Sequence, residues 1–260
     1  MSEVITSDNL DDVIKKNTLI ENEINSLKDS FYTTWNLSDG IKAEEKLAIK
    51  ILKDRGLIQI PINDEYWGGA IFVNKNKKVP VINTAQPRVY QYFVAWHEVY
   101  HLINNFKISN KPYNITIDMK LNERKADYFA AKMMLGNVYN YFTSLKEESF
   151  INKIMYCMDL YKAPYKAILI NLYEEAIKTN NNELREKIIE NFDKKPDLIE
   201  KFKQLELDDE LVKPSNLISV NNIQRKIQKA IDEDGEATYH RENMEFLNKL
   251  TRSIEQLIKE

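Results

Sequence analysis

The chain has 260 residues, of which 43% are hydrophobic and 30% are charged, and its formal net charge at pH 7 is −3. That length supports a full hydrophobic core in one or two globular domains, and the nearly balanced charge gives no reason to expect a nucleic-acid-binding surface. The single cysteine excludes an internal disulfide framework, and no stretch approaches the roughly 18 apolar residues that cross a bilayer.

Two helices are predicted in the N-terminal part of the chain. Apolar residues recur at helical spacing over residues 8–30. A second helix is predicted from Ser38, a residue type that caps helix N-termini, to Gly56, a residue type that ends helices. The first residues lack the basic and then apolar pattern of a secretory signal peptide, so together with the single cysteine they favour a cytoplasmic location.

Strand signals are confined to the segment after this second helix. They cover residues 57–60, 70–73 and 78–83, and Asn74–Lys77 is the predicted hairpin turn between the last two. The pattern predicts a small, mostly antiparallel sheet. Pro80 favours an edge position for the last strand, because proline cannot donate a hydrogen bond to a neighbouring strand.

The next segment, residues 93–103, contains H-E-x-x-H in an apolar frame. On a helix His97 and His101 lie one turn apart on the same face, so both imidazoles can reach one metal ion. Glu98 projects from an adjacent part of that face, where it can take a proton from an attacking water. Two of the three histidines of the chain fall in this motif. A histidine pair that is merely packed in the core is the alternative.

Another helix, after the H-E-x-x-H segment, is predicted over residues 121–134, where apolar residues recur at helical spacing. Glu123 is the predicted third ligand, because two histidines and one glutamate are an established set for one catalytic Zn²⁺ ion. Asp127 lies one turn further on and is predicted to accept a hydrogen bond from the other ring N–H of a ligating histidine. The alternative is a solvated helix face, since Arg124 and Lys125 are adjacent.

The C-terminal half is predicted to be helical. A helix pair around Pro164 could form a helix-turn-helix, but its second helix offers few groups for phosphates or base edges, so a packing or docking role is favoured. Cys157 lies in an apolar run and is predicted to pack in the core. His240 lies in a polar stretch and is predicted to be a surface residue. The last helix, about residues 236–260, could dock on the body or bind another protein.

These elements predict an α+β fold in three parts. Residues 1–36 form an N-terminal helical extension, and residues 37–137 form a zincin-like catalytic domain that combines the small sheet with the H-E-x-x-H helix. Residues 138–260 form an all-helical C-terminal domain.

Around these motifs the chain resembles the ImmA/IrrE family of metallopeptidases. The similarity covers roughly residues 45–180 and is carried by the strand pair before the motif, by Tyr92–His101 and by E-R-K-A-D-Y-F-A-A at residues 123–131. The resemblance implies a gluzincin-like zinc metalloendopeptidase. Its implied substrate is a helix-turn-helix transcriptional repressor, of the kind such peptidases cut in mobile elements or stress-response loci. Neither direct nucleic-acid binding nor membrane association is expected.

The chain departs from the family pattern at three places. Trp96 stands where the family has alanine, Val99–Tyr100 replaces Leu-Gly, and Leu135–Gly136 replaces Met-Pro. On an ideal helix Trp96 and Tyr100 project together on the flank away from Glu98. The element that packs on this flank must therefore leave space for two large rings.

Three functions stay open on these grounds. The first is a zinc metalloendopeptidase, in which an exposed sheet edge at residues 79–83 could pair with an extended peptide; a hairpin that only covers the core is the alternative for that segment. The second is a regulatory or binding module that retains zinc but has little peptidase activity. The third is a zinc hydrolase that acts on a small molecule.

Overall fold

The computed structural model describes residues 4–35, 45–74, 77–104, 113–114, 121–220, 223–234 and 238–259. Within these residues the chain is mostly helical with one small sheet, which confirms the α+β class. The helices are α1 (Leu10–Thr34), α2 (Glu45–Asp54), α3 (Arg88–Ile103), α4 (Leu121–Met134), α5 (Val138–Ser144), α6 (Phe150–Tyr161), α7 (Tyr165–Lys178), α8 (Asn182–Phe192), α9 (Leu198–Gln204), α10 (Ile223–Glu233) and α11 (Thr238–Lys259). None of the described helices combines the length and the apolar composition that crossing a membrane requires.

The sheet has the strands β1 (Ile58–Ile60), β2 (Trp67–Asn74), β3 (Lys77–Asn83) and β4 (Tyr113–Asn114), in the order β1-β3-β2-β4. Strand β2 pairs antiparallel with β3 and β4, whereas β1 pairs parallel with β3. The sheet is therefore mixed. The predicted hairpin turn agrees with the ladder, in which Asn74 of β2 pairs with Lys77 of β3 as the last pair. The two central residues of the turn lie outside the described part of the chain.

The prediction that residues 79–83 form an exposed edge is wrong. Val81, Ile82 and Asn83 pair with β1 on one side, and β2 pairs with β3 on the other. Pro80 pairs with Ile71 of β2 but lies just beyond the end of β1. The missing proline N–H therefore costs no ladder hydrogen bond to β1, which explains how proline is tolerated in this interior strand.

Helix α2 ends just before Gly56, the glycine that was predicted to stop it. Gly56 has a φ of +89°, a backbone conformation that glycine adopts without strain. Its N–H donates to the Lys53 carbonyl, and the N–H of Leu57 donates to the Leu52 carbonyl, both at 3.0 Å. These two bonds satisfy the last carbonyls of the helix and turn the chain into β1. The predicted N-cap, Ser38, lies outside the described residues.

Helix α3 is the central element of the fold. It contacts β2 and β3 of the sheet as well as α2 and α4, and α1 packs in turn on α4 and α7. Buried apolar side chains from Ile5 to Val212 form one continuous cluster. The cluster includes side chains from all three predicted parts of the chain, and the division at residues 36 and 137 stays a prediction.

The C-terminal half returns to the sheet. Gln59 in β1 and Ser219 exchange two backbone hydrogen bonds of 2.8 Å, and the N–H of Asn216 donates to the Thr84 carbonyl at 2.9 Å. Helix α7 is largely buried in the core rather than presented to a ligand. The helix pair around Pro164 therefore packs within the protein, as the sequence favours. Cys157 in α6 is fully buried, and this burial raises the pKa of its thiol to about 12.

Candidate metal centre

Two adjacent helices supply the predicted site residues. Residues 93–100 of α3 are all buried, because the sheet and α4 both contact this helix. Helix α4 carries Glu123 and Asp127 and packs directly against α3. The i,i+4 spacing on each helix puts its two site residues on one face, and the packing of α3 against α4 turns those two faces toward each other.

The structure brings three candidate ligand atoms to one point. Nε2 of His97 lies 3.0 Å from Nε2 of His101 and 3.1 Å from Oε2 of Glu123, and Nε2 of His101 lies 3.4 Å from the same oxygen. A tetrahedral ion bound at ~2.0–2.1 Å separates its ligand atoms by about 3.3–3.4 Å. These three side chains therefore form a group that could hold a metal ion with only small adjustments.

Asp127 orients the first of these ligands. Its Oδ1 lies 2.9 Å from Nδ1 of His97, and both side chains are buried. When the imidazole is neutral, the Nδ1–H donates to this carboxylate, so the lone pair is at Nε2 and faces the other two candidate ligands. The other oxygen, Oδ2, lies 3.6 Å from Nη1 of Arg124.

The electrostatics of this cluster favour a positive charge at its centre. Burial alone would lower the pKa of His97, but hydrogen bonds to Asp127 and Glu123 outweigh it and raise that pKa to about 10. Burial would raise the pKa of Glu123, yet the hydrogen bonds with His101 and His97 hold it well below its usual range. Two lone-pair nitrogens and a carboxylate oxygen this close together repel one another unless a cation lies among them. A proton and a metal ion therefore compete for the same place.

Glu98 lies beside the cluster and is only 1% exposed. Its Oε1 has no hydrogen-bond partner within the described residues, and burial raises the pKa of its carboxyl. An orphaned carboxylate oxygen in a buried position is costly. Such a group fits a residue whose partner is a water or a substrate rather than another side chain.

No family model, curated protein or solved structure matches this chain. The resemblance to the ImmA/IrrE family therefore rests on the quoted sequence motifs alone.

Trp96 and Tyr100 both pack against α4, and the Tyr100 ring also lies 5.5 Å from the ring of the candidate ligand His101. The Trp96 ring meets Phe31 of α1 and Phe129 of α4 at centroid distances of 5.6 Å and 6.4 Å. The Tyr100 ring lies 5.8 Å from Phe129, and its hydroxyl accepts a hydrogen bond from Asn104. Trp96 therefore packs between α1 and α4, whereas Tyr100 packs against α4.

Gly69 is a site residue that the sequence reasoning missed. A Cβ at this position would lie 2.7 Å from Cγ1 of Val94, 2.9 Å from the Val81 carbonyl oxygen and 3.3 Å from Oε1 of Glu98. Only glycine allows β2 to approach α3 so closely beside Glu98. The signal was available, because a glycine inside a strand pattern often marks a close backbone approach.

His240, the remaining histidine, is partly exposed at the start of α11, where its ring contacts Tyr239. Within the described residues the candidate metal group consists of His97, His101 and Glu123.

Proposed function

We propose that this chain is a zinc-dependent metalloendopeptidase in which His97, His101 and Glu123 hold one Zn²⁺ ion. The observation that carries the proposal is the convergence of two Nε2 atoms and one carboxylate oxygen within 3.0–3.4 Å. An orphaned buried carboxylate, Glu98, lies next to this group. Two neutral nitrogens and one carboxylate are a zinc ligand set that leaves a coordination position open for catalysis.

Each residue has a definite task in this proposal. Zinc, when bound, supplies Lewis acidity that polarises a peptide carbonyl and lowers the pKa of water. Glu98 takes the proton from the attacking water and delivers it to the nitrogen of the leaving amine. Asp127 accepts the Nδ1 proton of His97, which keeps Nε2 of that ring available as a ligand.

A peptide substrate is favoured over a small molecule by the position of β2. This strand passes Glu98 at Gly69, and its residues after Gly69 pair only with β3 within the described part of the chain. An extended peptide could add to a strand in this position by backbone hydrogen bonds, which would hold its scissile bond near Glu98. A small-molecule hydrolase has no need of such a strand.

The substrate class comes from the sequence resemblance. We infer that the substrate is a helix-turn-helix transcriptional regulator in the same cytoplasm, cut at one site, and that the enzyme has little activity on generic peptides. Docking of a structured partner away from the zinc can supply that specificity.

The alternative is a module of the same family that retains zinc but has little peptidase activity. The sequence feature that suggests this alternative is the large size of the Trp96 and Tyr100 side chains. Both rings pack against Phe129 of α4. The Tyr100 ring also lies 5.5 Å from the His101 ring, so Tyr100 is the one of the two whose bulk bears on the candidate ligands.

Glu98→Gln separates the two functions, because glutamine keeps the shape of the side chain but cannot accept the proton. We expect Glu98→Gln to retain its zinc while cleavage falls by about 10²–10⁴-fold, the usual contribution of a general base. The measurement is cleavage of the regulator encoded nearest to this chain by purified protein, with and without a chelator. The matched control is Glu190→Gln on the exposed face of α8, which should cleave like the unaltered protein.

Cleavage by Glu98→Gln at the unaltered rate would contradict the peptidase mechanism. Equal inactivity of both proteins on every regulator tested, with zinc bound, would instead favour the binding module. Broad digestion of casein would count against the substrate class but not against the chemistry.

A further inference from the structure

The carboxylate of Asp127 has a different neighbour at each of its two oxygens. Oδ1 lies 2.9 Å from Nδ1 of His97, and Oδ2 lies 3.6 Å from Nη1 of Arg124. The side chains of His97, Asp127 and Arg124 are 0%, 2% and 3% exposed. A buried chain of three charged or polar groups therefore runs from the guanidinium through the carboxylate to a candidate metal ligand.

The position of Arg124 in this chain follows from the sequence of α4. Successive residues of a helix are turned by about 100°, so Asp127 lies about 40° and Arg124 about 100° around the axis from Glu123. Asp127 is thus placed between a residue that faces the metal group and a residue that faces the interior. Arg124 and Asp127 both line a cavity of about 80 Å³ among α1, α3, α4 and α7.

The other charged groups that line this cavity have partners of their own. Glu174 accepts hydrogen bonds from side chains of α1, α4 and α7, and Lys166 is ion-paired with Asp193 at 3.2 Å. Within the described residues the ion-pair partner of Arg124 is Asp127. The Nε atom of Arg124 has no hydrogen-bond partner there, so no network of acceptors accounts for the burial of this guanidinium. Its ion pair is with the same carboxylate that contacts the candidate ligand.

We infer that Arg124 is a positioning residue of the metal centre, which acts through Asp127 to hold His97 in its ligating orientation. The inference rests on the proposed function, because it requires a metal ion at His97. A carboxylate with one partner can turn about its side-chain bonds, whereas a partner at each oxygen fixes its plane. The fixed carboxylate holds the Nδ1 side of the His97 ring and so aims Nε2 at the point where His101 and Glu123 converge.

The test is a double-mutant cycle on zinc affinity, measured at one pH by competition titration with a chromogenic chelator. Arg124→Gln should weaken zinc binding by about 3–10-fold, which is the usual size of the coupling between groups in contact. In an Asp127→Asn background the same substitution should change zinc affinity by less than about twofold, because the group through which Arg124 acts is already altered.

Two further variants separate positioning from a merely structural role. Arg124→Lys keeps the positive charge, and the contact with Asp127 is a single one rather than a two-pronged one, so this variant should bind zinc more tightly than Arg124→Gln. Lys125→Gln is the matched control. It removes the neighbouring cation, which pairs with Glu23 of α1 at 2.7 Å, and it should bind zinc like the unaltered protein. The thermal unfolding midpoint shows that each variant is folded, and Arg124→Met takes the place of Arg124→Gln if glutamine is not tolerated.

Unaltered zinc affinity of Arg124→Gln would overturn the inference and leave the proposed function standing. An equal loss with and without Asp127→Asn would overturn it too, because Arg124 would then act by another route. Failure of the unaltered protein to bind zinc would overturn the proposed function, and this inference with it.

Discussion

Helix α4 takes part in two carboxylate clusters that are built in different ways, one buried around Glu174 and one partly buried around Glu123. At the first, Glu174 of α7 accepts hydrogen bonds from the Tyr128 hydroxyl and from Nζ of Lys178, both at 2.8 Å, and from the Asn17 amide at 3.1 Å. At the second, the ion-pair partners of Glu123 among the described residues are His97 and His101. One carboxylate is surrounded by fixed donors, and the other faces groups that can themselves act as acceptors.

This difference separates a structural role from a functional one. Buried carboxylates that only stabilise a fold are satisfied by donors from the protein itself. Within the described residues the ion pairs of Glu123 are with two histidines and Oε1 of Glu98 has no hydrogen-bond partner, so this cluster fits a site that a bound cation and a further donor complete. On this view Glu174 should matter for stability and not for metal binding, and the residues around His97 should show the reverse.

The largest effect on stability is expected at Glu174. Burial would raise its pKa, but Lys178 and Lys132 more than offset this and hold it below the ordinary value of 4.5. The folded state therefore gains stability from the ionised carboxylate above that value, and loses the gain as the pH falls through the lowered pKa. Glu174→Gln should reduce the free energy of unfolding at pH 7 by about 2–3 kcal/mol, as measured by urea denaturation.

The neighbouring Glu175 is the matched control for this prediction. It shares Lys178 at 3.3 Å but is far more exposed, so Glu175→Gln should cost no more than about 0.5 kcal/mol. The difference between the two variants should shrink as the pH is lowered below the ordinary glutamate pKa. A Glu174→Gln variant that is as stable as Glu175→Gln at pH 7, or that loses zinc, would remove the contrast between the clusters.

The next effect is expected at Asp127, which touches both a candidate ligand and Arg124. Asp127→Asn keeps the size of the side chain but removes the charge that fixes the His97 tautomer. We expect zinc affinity to fall by about 10–100-fold, as is usual when the partner of a ligating histidine is changed. Competition titration with a chromogenic chelator measures it, and Asp193→Asn, which loses only the ion pair to Lys166, should leave it unchanged. Zinc affinity of Asp127→Asn within twofold of the unaltered protein would argue against this role.

The smallest effect is expected at Gly69. A methyl group there would lie 2.9 Å from the Val81 carbonyl oxygen, which belongs to the backbone and cannot move aside. Gly69→Ala should therefore reduce the free energy of unfolding by about 1–2 kcal/mol and shift Glu98, which lowers turnover while zinc stays bound. Unaltered stability and turnover would show that β2 need not approach α3 so closely.

The parts that the sequence predicted are those encoded by local spacing. His97 with His101, and Glu123 with Asp127, are i,i+4 pairs, so their shared faces follow from helix geometry alone. The end of α2 at Gly56 is equally local. Strand order was not predictable in this way, because the parallel pairing of β1 with β3 and the return of Ser219 to Gln59 join residues that are distant in the sequence. The edge position predicted from Pro80 was wrong for the same reason. A proline is tolerated in this interior strand because β1 begins opposite Val81 and does not reach Pro80.

The burial and the long-range contacts of two further charged residues could not be predicted from the local sequence either. Arg124 reads as a solvated helix residue beside Lys125, yet it is buried because α1, α3 and α7 enclose that face of α4. Glu174 likewise reads as part of an acidic helix end. Its pairing with Lys178 is a local i,i+4 contact, but its pairing with Lys132 depends on the approach of α4 to α7.

The central claim is that the acceptor cluster of α3 and α4 holds a metal ion. The direct measurement is the zinc content, by elemental analysis, of the purified protein and of His101→Ala and Glu123→Ala after equilibration with limiting zinc. The account predicts one zinc ion per chain in the unaltered protein and a sharp loss in both variants, because each lacks one of three ligands. An unaltered protein that retains no zinc, or a Glu123→Ala variant that retains a full equivalent, would contradict it.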